Sequence, residues 1–546
     1  MMITPHLKEA IACLGTLKRE TEWIWIDQIC INQDDDLERA LQVGMMKDIY
    51  TSSEGTIIWL GSHVRNIERV PPLLERLSIF YNRDMNPDGT RKRSKYTRAE
   101  YASLNLPPST DTAWIAFGSI LGRPWFVRSW VIQETALSRR LPRIFCGTKE
   151  LSWQNLVSAT LWILDISYEY TPLSRIPRSV PALRSLKSFN ELVTFGLPWD
   201  LTTLFNKAMQ STASEPRDRV YSLLALTNEF DGAGNLPLAL RANYQKPIET
   251  IFRDVTRHII STTKSLRVLT LIRYTPDWNC LPSWVIDFSA NAEWVRISYF
   301  SWDPHSEKGQ SLMEVSNDAA GGYPAVMIDD SLPDHVLGLQ GLQIDIIDEI
   351  CDVMKQEDVS SFNLSVWMAW KEACKRLGSR NQTIEAVARA FMVTLTADWS
   401  LSDSQRISDL PLVYFWRYLL DIFNEISTDP TLRDAVTAER ERIRDLISAE
   451  TEKGNDENLF SLHLDTAHQR RLFFSKDLAY IGLGPKILQK NDIICFLFGG
   501  ATPFILRPSG SNYRLVGECY VLELMTGEAV EGWKSGKHTL DNFHIY

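Results

Sequence analysis

Apolar positions recur at helical and strand spacings, in alternating order, through the first part of the chain. Leu7, Ala10, Ile11, Leu14 and Leu17 lie three and four residues apart and predict an amphipathic helix over residues 5–18. Trp23-Ile24-Trp25-Ile26 follows without polar alternation, as in a strand covered on both faces, and the run stops at Asp27. Asp35-x-x-Glu38 has the form of a capping box and opens a helix with Leu41, Met45 and Ile49 on one face. A second two-sided apolar run, Thr56–Leu60, closes at Gly61. Strand, helix and strand in this order predict a βαβ unit, with Trp23–Asp27 and Thr56–Leu60 as adjacent inner strands of a parallel sheet.

Residues 62–111 interrupt the alternation. The stretch Asn82–Glu100 holds Pro, Gly and the basic run Arg91-Lys92-Arg93-Ser94-Lys95, read as a solvated insertion, with nuclear targeting as the other reading. Helical spacing resumes at Trp114–Leu121, Pro124 starts a further helix reaching Arg139, and Arg143–Gly147 predicts the next strand. Residues 1–150 thus form one α/β region, and 151–340 a mostly helical middle, where Ser214-Glu215-Pro216 opens a helix through Tyr221 and Leu224. Residues 341–546 begin with charged helices such as Arg433–Glu452 and end in a β-rich stretch, 478–530. There Ile493–Phe498, Phe504–Arg507 and Tyr513–Leu524 are separated by turn residues and predict antiparallel strands, giving an α+β C-terminal region.

Composition narrows the function. The 546 residues carry 58 Lys and Arg against 68 Asp and Glu, a net charge of −10, so no broad positive field exists to collect phosphates and no nucleic-acid partner is expected. Eight Cys are scattered without a Cys-x-x-Cys pair, which reads as reduced intracellular thiols. No apolar run reaches membrane-spanning length, and the expectation is a cytoplasmic protein without a membrane contact. Gly-x-Gly-x-x-Gly, the Walker loop, His-Glu-x-x-His and Gly-x-Ser-x-Gly are all absent, and no cofactor is implied by motif. Asp34-Asp35-Asp36 has the composition of a Mg²⁺ site, but helix capping accounts for it more simply.

Two carboxylates stand out. Val127, Trp130 and Leu137 form an apolar stripe whose remaining position is Glu134, so this carboxylate is solvated at an edge, paired with a cation such as Arg123, Arg128 or Arg217, or lines a pocket as a functional acid. Asp27 closes the first apolar run, at the strand end where parallel sheets bind ligands; Cys30, Asn32 and Gln33 share its loop, which also reads as a self-capping polar loop.

These segments carry a family resemblance. Trp25-Ile26-Asp27-Gln28-Ile29-Cys30-Ile31-Asn32-Gln33, with Glu38-Arg39, Gln42-Val43, Ile49-Tyr50 and Trp59-Leu60-Gly61, resembles the fungal heterokaryon-incompatibility (HET) domain. Arg123-Pro124-Trp125-Phe126-Val127-Arg128-Ser129-Trp130-Val131-Ile132-Gln133-Glu134 is similar to its second motif. Pro216–Leu224, Leu281-Pro282-Ser283-Trp284, Ile481–Pro485 and Leu515–Val521 resemble later segments of large family members. Family members usually open with a strand resembling Leu-Ser-Tyr-x-Trp-Gly; this sequence opens at the helix from Pro5, so the sheet is expected to lack that strand.

The resemblance implies a Toll/interleukin-receptor (TIR)-like, flavodoxin-like parallel sheet. It also implies a role in non-self recognition and programmed cell death, with protein partners and self-association through the HET domain. Many TIR domains cleave NAD⁺ with a Glu four residues after a Trp, a spacing that Ser129-Trp130-Val131-Ile132-Gln133-Glu134 matches, with Val131 in place of the usual Cys. Carried over, Glu134 is the catalytic carboxylate, and Asp27, Asn32, Gln33, Arg128 and Trp130 contact NAD⁺ as substrate. A non-enzymatic interaction module and an inactive homologue are the alternatives.

Overall fold

A computed structural model describes residues 3–16, 23–85, 96, 98–164, 171–175, 179–195, 198–272, 281–289, 319–328, 331–355, 359–378, 382–398, 400–402, 405–427, 433–449, 460, 464, 466–477 and 480–546. The chain forms two compact units, Met1–Val255 with Phe288–Ala292, and Thr256–Asp287 with Glu293–Tyr546. It is a mixed α/β protein, with a parallel strand pair near its start, a helical middle and a mainly antiparallel sheet at its end.

In the first unit, α1 (Pro5–Thr16), α2 (Asp27–Cys30) and α3 (Asp36–Ser52) precede β1 (Ile57–Trp59). Asp35 caps α3, accepting from the backbone N–H of Leu37 at 2.9 Å and of Glu38 at 3.2 Å, while Glu38 accepts from Asn32 N–H rather than closing the reciprocal box. Helices α4 (Val70–Asp84), α5 (Arg98–Ser103), α6 (Thr112–Leu121) and α7 (Val131–Ala136) lead to β2 (Arg143–Cys146), which pairs parallel to β1 with Ile58 opposite Ile144. β3 (Lys149–Leu151) folds back antiparallel on β2. Beyond it come α8 (Trp153–Trp162), α9 (Ser179–Phe195), α10 (Leu201–Lys207), α11 (Asp218–Leu224) and α12 (Ile248–Thr263), within which the division between the units falls.

Four expectations are corrected here. Trp23–Asp27 is not a strand: Trp23 and Ile24 are exposed, and Ile26 is the extended residue before α2, its carbonyl accepting from Ile29 and Cys30. Asp27 turns its carboxylate onto the N–H of Gln28 at 2.7 Å, a local bond that competes with strand pairing. The helix expected from Pro124 to Arg139 is broken into a 3₁₀ turn, Pro124–Val127, and α7, because Arg128 is extended and bridges Thr212, whose carbonyl accepts from Ser129 N–H at 2.9 Å. On α3 it is Met46 that is buried, while Leu41 and Met45 face solvent. Residues 62–111 are not simply a solvated insertion: α4 packs with α8, and Asp84 at its end is buried, accepting from Trp162 Nε1 at 3.1 Å. The basic run Arg91–Lys95 lies outside the described residues.

The second unit is organised by β4 (Leu337–Ile350), a 14-residue strand that crosses residue 340 and was not anticipated, although Leu337, Leu339, Leu342 and Ile344 fall close to strand periodicity. Helices α13 (Val359–Gly378) and α14 (Ile384–Thr396), the short ribbon β5 (Ser400–Ser402) and β6 (Gln405–Arg406), α15 (Leu412–Ile426) and α16 (Arg433–Ala449) separate it from β7 (Arg470–Ser475). The expected antiparallel end follows as β8 (Ile481–Pro485), β9 (Ile493–Leu497), β10 (Phe504–Ser509), β11 (Asn512–Glu518) and β12 (Tyr520–Val521), then α17 (Glu528–Lys534) and β13 (Leu540–Ile545).

Pairings β4–β13, β13–β11, β11–β10, β10–β9 and β9–β4 close a five-stranded ring, and the far half of β4 pairs with β7, extending the sheet through β8 and β12. Closure removes two sheet edges. It also needs Gly341, since a Cβ there would stand 2.2 Å from the Phe496 carbonyl oxygen on β9. Trp367, Trp370, Phe391, Phe415 and Trp416 of α13–α15 pack in one core with Leu472, Phe474, Ile481 and Leu483 of β7 and β8. The Leu281–Trp284 segment acts as a tie: Trp284 Nε1 donates to His335 O at 3.0 Å, and Ser283 Oγ accepts from Leu515 N–H at 2.9 Å while donating to Tyr546 O.

Candidate functional site

Glu134 sits in α7, and its backbone carbonyl accepts from Thr56 Oγ1 at 2.7 Å, which ties the helix to the residue before β1. The side chain is half-buried. Packed atoms strip enough water from the carboxyl to raise its pKa from 4.5 to about 7; the charge of Asp27 adds to the rise, while Arg128 and donation from the Trp125 indole oppose it. Arg128 is itself exposed, and among the described residues Glu134 forms no ion pair with it or any other cation.

Tyr50, at the end of α3, belongs to the same cluster. Burial pushes its phenol well above the ordinary value, the charges of Glu134 and Asp27 push further, and Arg128 pulls back. Trp25 stands edge-on to Tyr50, with ring centroids 6.0 Å apart. The fold therefore brings Asp27, Arg128 and Glu134 together, from the start of α2, the extended residue before α7 and α7 itself, and adds Tyr50, Trp25 and Trp125, which sequence reasoning missed as site residues. The available signal for Tyr50 was its place in the Ile49-Tyr50 motif; nothing in periodicity distinguishes it from a core aromatic.

The other expected contacts are placed differently. Asn32 and Gln33 are exposed; Gln33 Nε2 reaches the Asp27 carbonyl at 3.3 Å, and the Asn32 side chain accepts from Asp34 N–H at 3.3 Å. Trp130 Nε1 donates at 3.1 Å to Asp218, whose other oxygen accepts from Tyr244 OH at 2.6 Å. Arg39 of α3 lies 3.9 Å over the Tyr244 ring. Burial raises the Asp218 pKa, and the Tyr244 and Trp130 donors with Arg39 hold it down. Trp130 is thus part of a bracket joining α7 to α11.

The comparisons with known proteins agree with these motifs. The profile described as heterokaryon incompatibility protein (HET) matches residues 1–134, which end at Glu134, and the Het-6 beta-barrel domain matches 334–537, which holds four of the five ring strands, with β13 just beyond it. Residues 1–134 thus carry a HET domain. The chain is also similar to "Heterokaryon incompatibility protein 6, OR allele" of Neurospora crassa, with 23% identity across 93% of this chain and 81% of the relative. No solved structure matches it. Among its described residues no helix is long and apolar enough to cross a membrane, and no group of three or more His, Cys, Asp or Glu gathers as a metal site would.

Proposed function

We propose that this HET protein is a signalling protein of fungal non-self recognition and incompatibility that triggers programmed cell death, and that its Glu134 centre cleaves the nicotinamide–ribose bond of NAD⁺. The observation that carries the reading is a carboxyl with a pKa of about 7, no ion-pair partner among the described residues and an aromatic surround. Such a group favours a cationic ligand. The positive nicotinamide ring beside it would draw its pKa down and ionise it, the inverse of the burial that raised it.

Bond cleavage sends the electron pair to the nicotinamide nitrogen, which leaves neutral, so no general acid is required. The ribosyl carbon becomes oxocarbenium-like and the Glu134 carboxylate stabilises it. Water then attacks that carbon and passes a proton to Glu134, whose pKa suits a base near neutrality. Purified full-length protein is expected to release nicotinamide from NAD⁺, and Glu134→Gln to lose turnover with little change in KM. Turnover that persists in that variant refutes the assignment.

A second reading has its own support. Trp23, Ile24, Leu37, Leu41 and Met45 are exposed large apolar side chains near the start of the chain, with Leu37, Leu41 and Met45 four residues apart along α3. A non-enzymatic module would self-associate or dock a protein partner there. Growth arrest that survives Glu134→Gln but is lost in Leu41→Glu selects this reading over catalysis.

A further inference from the structure

The carboxyl ends of β1 and β2 lie side by side, where Gly147 N–H donates to Gly61 O at 2.8 Å, and open parallel sheets bind ligands beyond such ends. Arg123 reaches this place from the segment between α6 and α7. It is half-buried, donates Nη2 to Ser62 O at 3.2 Å, and its side chain makes no ion pair and no other hydrogen bond among the described residues. Four of its five N–H donors are therefore unspent. His6 of α1 comes in beside it, exposed, with its ring 4.6 Å from that of Trp59.

Both side chains converge on one glycine. A Cβ on Gly61 would stand 3.1 Å from Arg123 Nη1 and 3.6 Å from His6 Cε1, and Gly61 has φ +103°, a conformation that side-chain-bearing residues avoid. The missing side chain thus lets the guanidinium and the imidazole pack closely against the backbone at Gly61. Next to it, Trp59 Nε1 is buried without an acceptor. A forked cation, an imidazole and an indole donor that lacks an acceptor make one donor-rich end of the sheet.

We infer that Arg123, with His6 beside Gly61, forms a phosphate-binding site. A guanidinium presents parallel N–H donors that match two oxygens of one phosphoryl group, and glycine lets that guanidinium lie close to the backbone at the strand end. The ligand is a phosphate or diphosphate anion, either free or as part of a nucleotide. The site stands apart from the proposed reaction: it requires neither Glu134 nor turnover.

The test is thermal unfolding of the full chain with inorganic pyrophosphate and, separately, ADP-ribose, with far-UV circular dichroism as the fold control. At a concentration about tenfold above Kd, binding should raise Tm by about 3 °C in the wild type and equally in Glu134→Gln. The rise should vanish in Arg123→Gln and shrink in His6→Phe, which keeps a ring against Trp59. Arg123→Lys keeps the charge but not the fork, and should bind about tenfold more weakly. Stabilisation by both ligands supports a nucleotide diphosphate as occupant, and by pyrophosphate alone a free anion. No stabilisation of the wild type, or the same stabilisation in all three site variants, overturns the inference. Should Arg123→Gln fail to fold, Arg123→Lys and His6→Phe decide it. Because the Glu134→Gln arm reads binding alone, an inactive but binding protein separates failure of the catalytic reading from failure of this one.

Discussion

Replacing Glu134 by Gln should stabilise the HET unit at alkaline pH and not at acid pH. The Glu134 carboxyl has a pKa of about 7 in the fold against 4.5 for an ordinary glutamate. Below the unfolded value the group is neutral in both states and contributes no difference. Between the two values the unfolded chain releases its proton while the fold retains it, so the fold binds more protons and loses stability as pH rises; above about pH 7 the loss is complete. A shift of that size corresponds to about 3 kcal/mol at 1.36 kcal/mol per unit. Glutamine has the same shape and no charge to desolvate. The variant should therefore gain about 3 kcal/mol over wild type at pH 8 and almost nothing at pH 4.5. For a unit of this size the gain appears as a rise in Tm of about 5 to 10 °C. Calorimetry of the full chain at both pH values, following the transition that moves with the substitution, measures it. A stability difference that does not change with pH would refute the desolvated-carboxyl account, whatever the variant does to turnover.

Two further outcomes follow from buried polar groups. Arg470 and Glu518 form an ion pair of 2.9 Å with side chains 5% and 3% exposed, so Glu518→Gln should destabilise the second unit by about 3–5 kcal/mol in urea. The double variant Arg470→Met with Glu518→Leu should recover most of that loss, and equal destabilisation by the single and double variants would count against a charge-pair origin. Asp218→Asn leaves one oxygen for the Trp130 and Tyr244 donors, so unfolding should show a loss of about 1–3 kcal/mol from the first unit; a variant within a few tenths of wild type would mean the bracket contributes nothing.

Local chemistry determined the elements whose residues carry their own instructions. The apolar spacing from Pro5 produced α1, the Asp35 cap fixed the start of α3, and the β-rich run with its turns produced β8 to β12. The apolar pair of runs at Thr56–Leu60 and Arg143–Gly147 formed β1 and β2 in parallel, and the motif strings marked the HET domain that matches residues 1–134.

Tertiary structure decided what depends on partners distant in sequence. Trp23–Ile26 has the composition of a buried strand, but composition does not supply a neighbour, and the Asp27 side chain offers the backbone a local alternative. The break at Arg128 comes from Thr212, 84 positions away, which no helical periodicity encodes. Trp130 matched a catalytic spacing and instead found Asp218, because a buried indole N–H takes the nearest acceptor that packing provides. Glu134 was legible as an odd carboxylate on an apolar stripe. That it lacks an ion-pair partner among the described residues, sits near Asp27 and Tyr50 and titrates near neutrality follows from three segments meeting, since desolvation is a property of the assembled neighbourhood and not of the residue.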